Sequence, residues 1–163
     1  MKKLIIAALM AVLAIPASAQ FEQGKAYVNT SLSGLSLSYS KSENFCLGLG
    51  VMGGYFFADS WMAYGRLDYQ HQYAEVGSDR NDISIGVGAR YYIVQNGLYL
   101  NLGLQYEHRG ASINNFLVCP EVGYTFFLNR HVTLEPSIYY NMSCNNFADY
   151  SKVGLRVGFG YFF

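Results

Sequence analysis

Seven charged side chains recur on one face of an otherwise apolar, alternating pattern: Arg66, Asp68, Arg90, Glu107, Glu121, Glu135 and Arg156. Three are cations, four are anions, and none is a lysine. Such a set could do two kinds of chemistry. Lined up along water it would offer a gated ion path. Confined, it would pair, because one planar guanidinium satisfies several carboxylate oxygens at once. Hydrolysis of a lipid ester would need a different set, a lipid-facing serine activated by a histidine and oriented by an acid. His71 and His108 have the parity of the apolar face, yet they fall in segments separated by a whole intervening strand. Ser78 and Ser112 fall in loops, Ser84 has the polar parity, and His131 belongs to the opposite rim. No triad spacing results, and no catalytic residue is assigned. Cys46, Cys119 and Cys144 include no CxxC pair and the histidines are scattered, so no metal site is read. An odd count leaves at least one thiol over. No cofactor is expected.

The segments that carry these residues alternate with period two, the signature of a half-apolar strand. The apolar members are Phe45, Leu47, Leu49, Val51 and Tyr55, then Trp61, Ala63, Leu67 and Tyr69. They continue as Ile83, Ile85, Val87, Ala89, Tyr91 and Ile93, then Leu98, Leu100, Leu102, Leu104 and Tyr106. Phe116, Val118, Val122, Tyr124 and Phe126 follow, and after them Val132, Leu134, Ile138, Tyr140 and Met142. The closing stretch adds Val153, Leu155, Val157, Phe159, Tyr161 and Phe163. An eighth strand fits residues 24–40, where Leu32 and the pair Leu35 and Leu37 have opposite parity; a bulge at Gly34 would reconcile them. The connections "FADS", "QNG" and "NR" are short, and "AEVGSDRN", "RGASINN" and "SCNNFADYSK" are longer and polar. Asn96-Gly97 is the strongest hairpin signal and predicts Gln95 opposite Leu98.

Alternation does not say which face looks outward. Three features put the polar face inside. The apolar face of the seven clear strands carries no charge. The polar face uses arginine and not lysine. It also holds Gly48, Gly50, Gly54, Gly86, Gly88, Gly103, Gly123, Gly154, Gly158 and Gly160, ten of the 17 glycines, and glycine makes room in a narrow lumen. The aromatic residues gather in two groups. Tyr55, Phe56, Phe57, Trp61, Tyr91, Tyr92 and Tyr99 flank the short turns, as do Tyr124, Phe126, Phe127 and the terminal Tyr161, Phe162 and Phe163. Tyr69, Tyr73, Tyr106, Phe116, Tyr139 and Tyr140 gather toward the long loops. Two aromatic belts with aliphatic positions between them are the pattern of a membrane barrel. About 11 residues at ~3.3 Å rise and ~45° tilt span roughly 26 Å, close to the ~25 Å apolar band of such barrels. Pro120 and Pro136 resist the pattern, since each removes a ladder donor where a closed barrel has no free edge. Local bulges, or places near the rim, would accommodate them.

The first residues are set apart. Lys2 and Lys3 precede an apolar run from Leu4 to Ile15, and Ala17-Ser18-Ala19 supplies small residues before Gln20. That is the layout of a secretory signal peptide, too short to span a membrane as a helix. Residues 1–19 are the expected signal peptide, and 20–163 the exported barrel domain. Without Lys2 and Lys3, nine basic residues face 11 acidic ones, so there is no basic footprint for nucleic acid. Charged residues make up 13% of the chain and aromatic ones 17%, against about 25% charged in an ordinary soluble domain. The expected fold is all-β: an eight-stranded antiparallel up-and-down transmembrane barrel behind a cleavable signal peptide.

With the short-turn and long-loop alternation, the aromatic belts and the terminal "GFGYFF", the chain resembles the small outer-membrane β-barrels of the OmpA/OmpX-like kind, and in particular the outer membrane protein β-barrel domain of the Bacteroidetes type. The resemblance covers 20–163. It implies residence in the cell outer membrane and contact with its lipid and lipopolysaccharide. It also implies recognition of a C-terminal aromatic strand by the barrel assembly machinery, which maps to Phe159, Tyr161 and Phe163. A non-enzymatic structural or surface-interaction role is expected, with a charged, side-chain-filled lumen and no open pore. The alternatives are a deacylase-like enzyme acting on lipid A and a small gated channel. An extracellular partner would meet the long loops, and a monomer is expected.

Overall fold

The computed structural model describes residues 21–35, 46–72, 80–93, 97–109, 113–144 and 152–163. The strands are β1 (Ala26–Leu35), β2 (Cys46–Ala58), β3 (Trp61–Gln72), β4 (Arg80–Tyr92), β5 (Leu98–Arg109), β6 (Ile113–Tyr124), β7 (Phe126–Phe127), β8 (Val132–Ser143) and β9 (Lys152–Phe162). Every pairing is antiparallel, each long strand lies beside the next in the chain, and β1 pairs with β9 to close the ring. The two-residue β7 continues β6 past Thr125. Both pair with β8 in one register, Val122 opposite Ile138 and Phe126 opposite Leu134. The molecule is thus a closed barrel of eight strands, with no sheet edge left to pair elsewhere.

The prolines explain why β6 and β7 count as two pieces. Pairing with β8 lapses between Val118 and Glu121, and again between Gly123 and Phe126. In the unshifted register Pro120 and Pro136 stand in those two gaps. A proline nitrogen has no hydrogen to donate. On their other sides, Pro120 pairs with Leu102 and Pro136 with Val157 without interruption. Both prolines therefore weaken one seam and leave the adjoining seams whole. Neither a bulge nor a rim position is involved.

Register elsewhere follows local sequence. The β1–β9 ladder shifts between Ser33 and Leu35, so Gly34 is the extra residue and Leu35 pairs with Leu155. Leu37 lies outside the described residues. At the β4–β5 turn, the Ile93 N–H donates to the Leu98 carbonyl at 2.8 Å, which places Ile93, two residues before Gln95, opposite Leu98. Gln95 itself is outside the described residues. The parity of both strands is the one expected, because the shift is by two. Gly97 has φ +66°, and a Cβ there would stand 2.8 Å from the Thr125 carbonyl, so glycine is required on both counts. The connection in "RGASINN" is shorter than expected, because β5 runs to Arg109 and β6 starts at Ile113.

Outward residues are aliphatic along the middle of the strands, with Ile85 and Val87 exposed at 58% and 62% on a face that only hydrocarbon would stabilise. Trp61, Tyr55, Phe57, Tyr161 and Phe163 project outward near the short-turn end, and Tyr69, Tyr106 and Phe116 toward the other. Six aromatics expected in the belts turn inward instead. Phe56, Tyr92, Tyr99, Phe162 and Tyr139 are buried inside the barrel, and Phe127 is partly buried against that cluster. The reason is parity, since a neighbour in sequence points through the opposite side of the wall.

These side chains close the short-turn end around Phe21. Its ring stacks on Tyr92 at 4.0 Å and meets Phe162 edge-on at 5.8 Å, with Phe56 and Phe127 alongside. Hydrogen bonds hold the segment, among them Ser60 N–H to the Phe21 carbonyl, Gly24 N–H to the Phe56 carbonyl, Phe56 N–H to the Lys25 carbonyl, and Gln23 N–H to Asp59 Oδ1. Truncating a buried phenylalanine removes its burial and leaves a cavity, so Phe21→Ala should destabilise the barrel by about 3 kcal/mol or more. Urea titration of the detergent-folded protein, followed by the emission of its single tryptophan, measures this; an unchanged midpoint would show that the segment does not brace the barrel floor.

Candidate functional site

Strand alternation delivers every residue of the charged set to the interior. Arg66, Asp68, Arg90, Glu107, Glu121, Glu135 and Arg156 are all at most 6% exposed. Six of the seven join in two connected tiers. In the tier nearer the short turns, Arg90 donates to Glu135 Oε2 at 2.8 Å and lies 3.9 Å over the Tyr99 ring. Glu135 also accepts from Thr133 at 3.1 Å and from Thr125 at 3.4 Å. In the next tier, Glu121 receives Arg156 at 2.6 Å and Arg66 at 3.3 Å on one oxygen, while Arg90 approaches the other at 3.8 Å. Tyr99 donates to that second oxygen at 3.1 Å. Asp68 extends the tier, 3.7 Å from Arg66 and 4.0 Å from Arg156, and accepts from Gln105 at 3.3 Å. One carboxylate on β6 thus faces guanidinium groups from β3, β4 and β9. Glu107 is buried nearer the long-loop end, opposite Ser84 and Asn115. Asp82, outside the expected set, is buried there too, and its even position in β4 already carried the inward parity.

The glycines decide how large the partners can be. A Cβ on Gly123 would collide with the Tyr99 hydroxyl and stand 2.7 Å from Ser137 Cβ; one on Gly154 would strike the Tyr139 ring. Tyr139 in turn lies 4.3 Å beneath the Arg156 guanidinium. Glycine on one strand therefore admits a tyrosine from another, and the tyrosine stacks on an arginine. Composition showed the glycines but not the tyrosines they admit, because that pairing joins residues far apart in the chain.

The remaining candidates stay separate. His71 Nδ1 lies 2.6 Å from Asn81 Oδ1, and His108 Nδ1 lies 2.8 Å from Asn114 Oδ1, both exposed near the long-loop end. The partner of each Nδ1 is an amide oxygen, whereas a hydrolytic triad places an acid there. Ser84 lies on the inner face, opposite Asp68 and Glu107, and Ser78 and Ser112 lie outside the described residues. His131 is at the short-turn rim, 3.0 Å from the Phe162 carbonyl. Cys119 is a buried thiol of the inner wall and Cys144 an exposed one. Among the described residues no cluster of histidine, cysteine and carboxylate could hold a metal ion.

Comparison with known families places this geometry. The family model described as outer membrane protein beta-barrel domain matches residues 5–163. The chain belongs to that family. Its barrel is similar to the outer membrane protein Ail of Yersinia pestis in a phospholipid nanodisc, with TM-score 0.61 and 16% identity over 86% of this chain and 100% of that one. It is also similar to OprG of Pseudomonas aeruginosa, with TM-score 0.57 and 15% identity over 88% of this chain and 98% of that one. The N-terminal barrel of OprF from the same organism gives TM-score 0.59 and 16% identity over 86% and 98%. Among curated proteins, no sequence matches. The family barrel resides in the outer membrane, so its aliphatic wall faces lipid, its short turns face the periplasm and its long loops face outward.

The lumen makes two quantitative demands on such a barrel. Glu121→Gln removes the charge that three arginines share, and an uncompensated buried charge is expensive, so the loss should be about 3–5 kcal/mol. Gly123→Val should cost about 1–3 kcal/mol by overpacking against Tyr99. Denaturant midpoints in lipid bilayers measure both. Equal midpoints for wild type and Glu121→Gln would show that the ion pairs do not hold the lumen.

Proposed function

We propose that this protein is a non-catalytic barrel of the outer membrane with a structural or surface-interaction role, its lumen plugged by its own side chains. The observation that carries the reading is the Glu121 knot. Arginines from three strands converge on one carboxylate across the lumen, and Arg90 at 1% exposure closes the path beside it. An eight-stranded barrel has an interior just wide enough for side chains to fill, and paired buried charges fill it without offering a hydrated route. A partner would meet the protein through its long loops, since loops on a rigid scaffold are where binding surfaces are built. Planar-bilayer recording tests the closed lumen. The wild-type barrel should give no steady unit conductance; steady conductance lost on neutralising Arg90 would establish the gated path instead.

We also propose that the C-terminal strand serves as the assembly signal through Phe159, Tyr161 and Phe163. All three project outward, exposed at 50%, 42% and 67%, while the Phe163 N–H is tied to the Ala26 carbonyl at 3.0 Å. Their aromatic faces are thus available on the outer wall for recognition before the barrel closes. Deleting Phe163 should lower the folded, heat-modifiable fraction in cell membranes, yet leave refolding in detergent unchanged. Equal losses in both would mean the residue acts only on stability.

A further inference from the structure

Two prolines share one seam, and each stands beside a lumen carboxylate in the chain, as Pro120-Glu121 and Glu135-Pro136. The hydrogen-bonding positions of that seam can be read from its ends. The Cys144 N–H donates to the Phe116 carbonyl at 3.0 Å, and the Leu128 N–H to the Val132 carbonyl at 2.9 Å. Bonded and non-bonded pairs alternate along an antiparallel ladder, so the even positions of β6 and β8 exchange the bonds. Pro120 opposite Tyr140 and Pro136 opposite Tyr124 are both even pairs. Each proline therefore lacks its N–H where a ladder bond belongs. Toward β5 and β9 the same prolines hold non-bonded positions, since there the Thr125 N–H serves Gly97 and the Phe162 N–H serves His131. The other described ladders run on, with single-residue shifts at Gly34 and Phe57.

Side chains cross the seam where the backbone does not. Glu121 on β6 takes Arg156 of β9 at 2.6 Å, a pair that passes over the inner face of β8. The Arg156 guanidinium lies 4.3 Å from the ring of Tyr139 on β8, so that strand is held beneath the pair. At the second lapse Thr125 and Glu135 stand opposite, and the Thr125 hydroxyl donates to Glu135 Oε1 at 3.4 Å. Arg90 anchors the same carboxylate from β4 at 2.8 Å. The outer surface is hollowed along this line, in a trough of about 850 Å³ whose lining includes Pro120, Val122, Ile138 and Tyr140. Only the inner contacts brace the seam. We infer that the β6–β8 seam is where the wall of the folded barrel opens, latched from inside by Glu121 and Glu135, while β1 and β9 stay paired. A ring of strands parts first where its ladder bonds are fewest, and both missing donors lie here.

Cys119 supplies the probe, because it lies on β6 within the first lapse with its thiol buried in the inner wall. With Cys46→Ser and Cys144→Ser made, it is the sole thiol. Its labelling by N-ethylmaleimide, in the full barrel folded into phosphatidylcholine bilayers, reads the opening. Glu121→Gln, which releases one latch, should speed labelling about tenfold or more. Pro120→Val combined with Pro136→Val restores both donors and should slow it about fivefold or more, an arm that stands even if Glu121→Gln does not fold. Disulfides locate the motion. Val122→Cys with Ile138→Cys joins register partners across the seam and should abolish labelling of Cys119. Val51→Cys with Leu67→Cys joins β2 to β3 in the same way and should leave it unchanged. Loss of labelling in both locked forms would mean global unfolding and overturn the inference. So would labelling that neither the restored donors nor the β6–β8 lock slows, or its absence from both the wild type and Glu121→Gln. Conductance follows the barrel axis and thiol labelling follows its wall, so the closed lumen and the seam can fail separately.

Discussion

A strand that crosses hydrocarbon must satisfy every backbone N–H and C=O from within the protein, because no water is there to do it. Closure of the sheet is the only strand-based solution, and the rest of this molecule follows from it. A closed ring of eight strands has one inside and one outside, so period-two alternation becomes a sorting rule for side chains. The outside must match lipid and the inside must fill a lumen of fixed, small diameter. The two prolines show how much the constraint tolerates. Both fall on the β6–β8 seam, and the seams on either side carry unbroken ladders.

Inside, charge and volume are solved together. A guanidinium is flat and donates in several directions, so it can serve a carboxylate and stack on a phenol at once, as Arg90 does with Glu135 and Tyr99. Lysine, a point charge on a flexible stem, could not do both. Glycine at Gly123 and Gly154 leaves the room that Tyr99 and Tyr139 occupy. The aromatic cluster around Phe21 packs across the short-turn end, with Tyr92 and Tyr99 reaching the Arg90 guanidinium of the first charged tier.

Much of this was legible in the residues. Strict alternation identified seven strands with their outward members. A charge-free apolar face beside an arginine-rich, glycine-rich one identified the inside. The opposed parities of Leu32 and Leu35 located a bulge at Gly34 before any coordinates. The aromatic belts differ from the expectation for one reason: residues that cluster along the chain need not cluster in space. Phe56, Tyr92, Tyr99, Tyr139 and Phe162 lie among belt residues in sequence but alternate through the wall. The part played by Phe21 was not legible at all, because an isolated phenylalanine before the first strand has no periodicity.

By itself the sequence determined the strand count, the two faces and the residence of the chain in a membrane, because each depends on properties repeated every second residue. Only the tertiary structure decided which charge meets which, that Glu121 and not Glu107 takes the centre of the arginine knot, and that both prolines share a seam. Those outcomes depend on the register between strands up to 106 residues apart, as with Asn29 and Glu135. Alternation and turns fix the register of neighbouring strands, whereas contacts across the lumen between distant strands form only when the ring closes and packs.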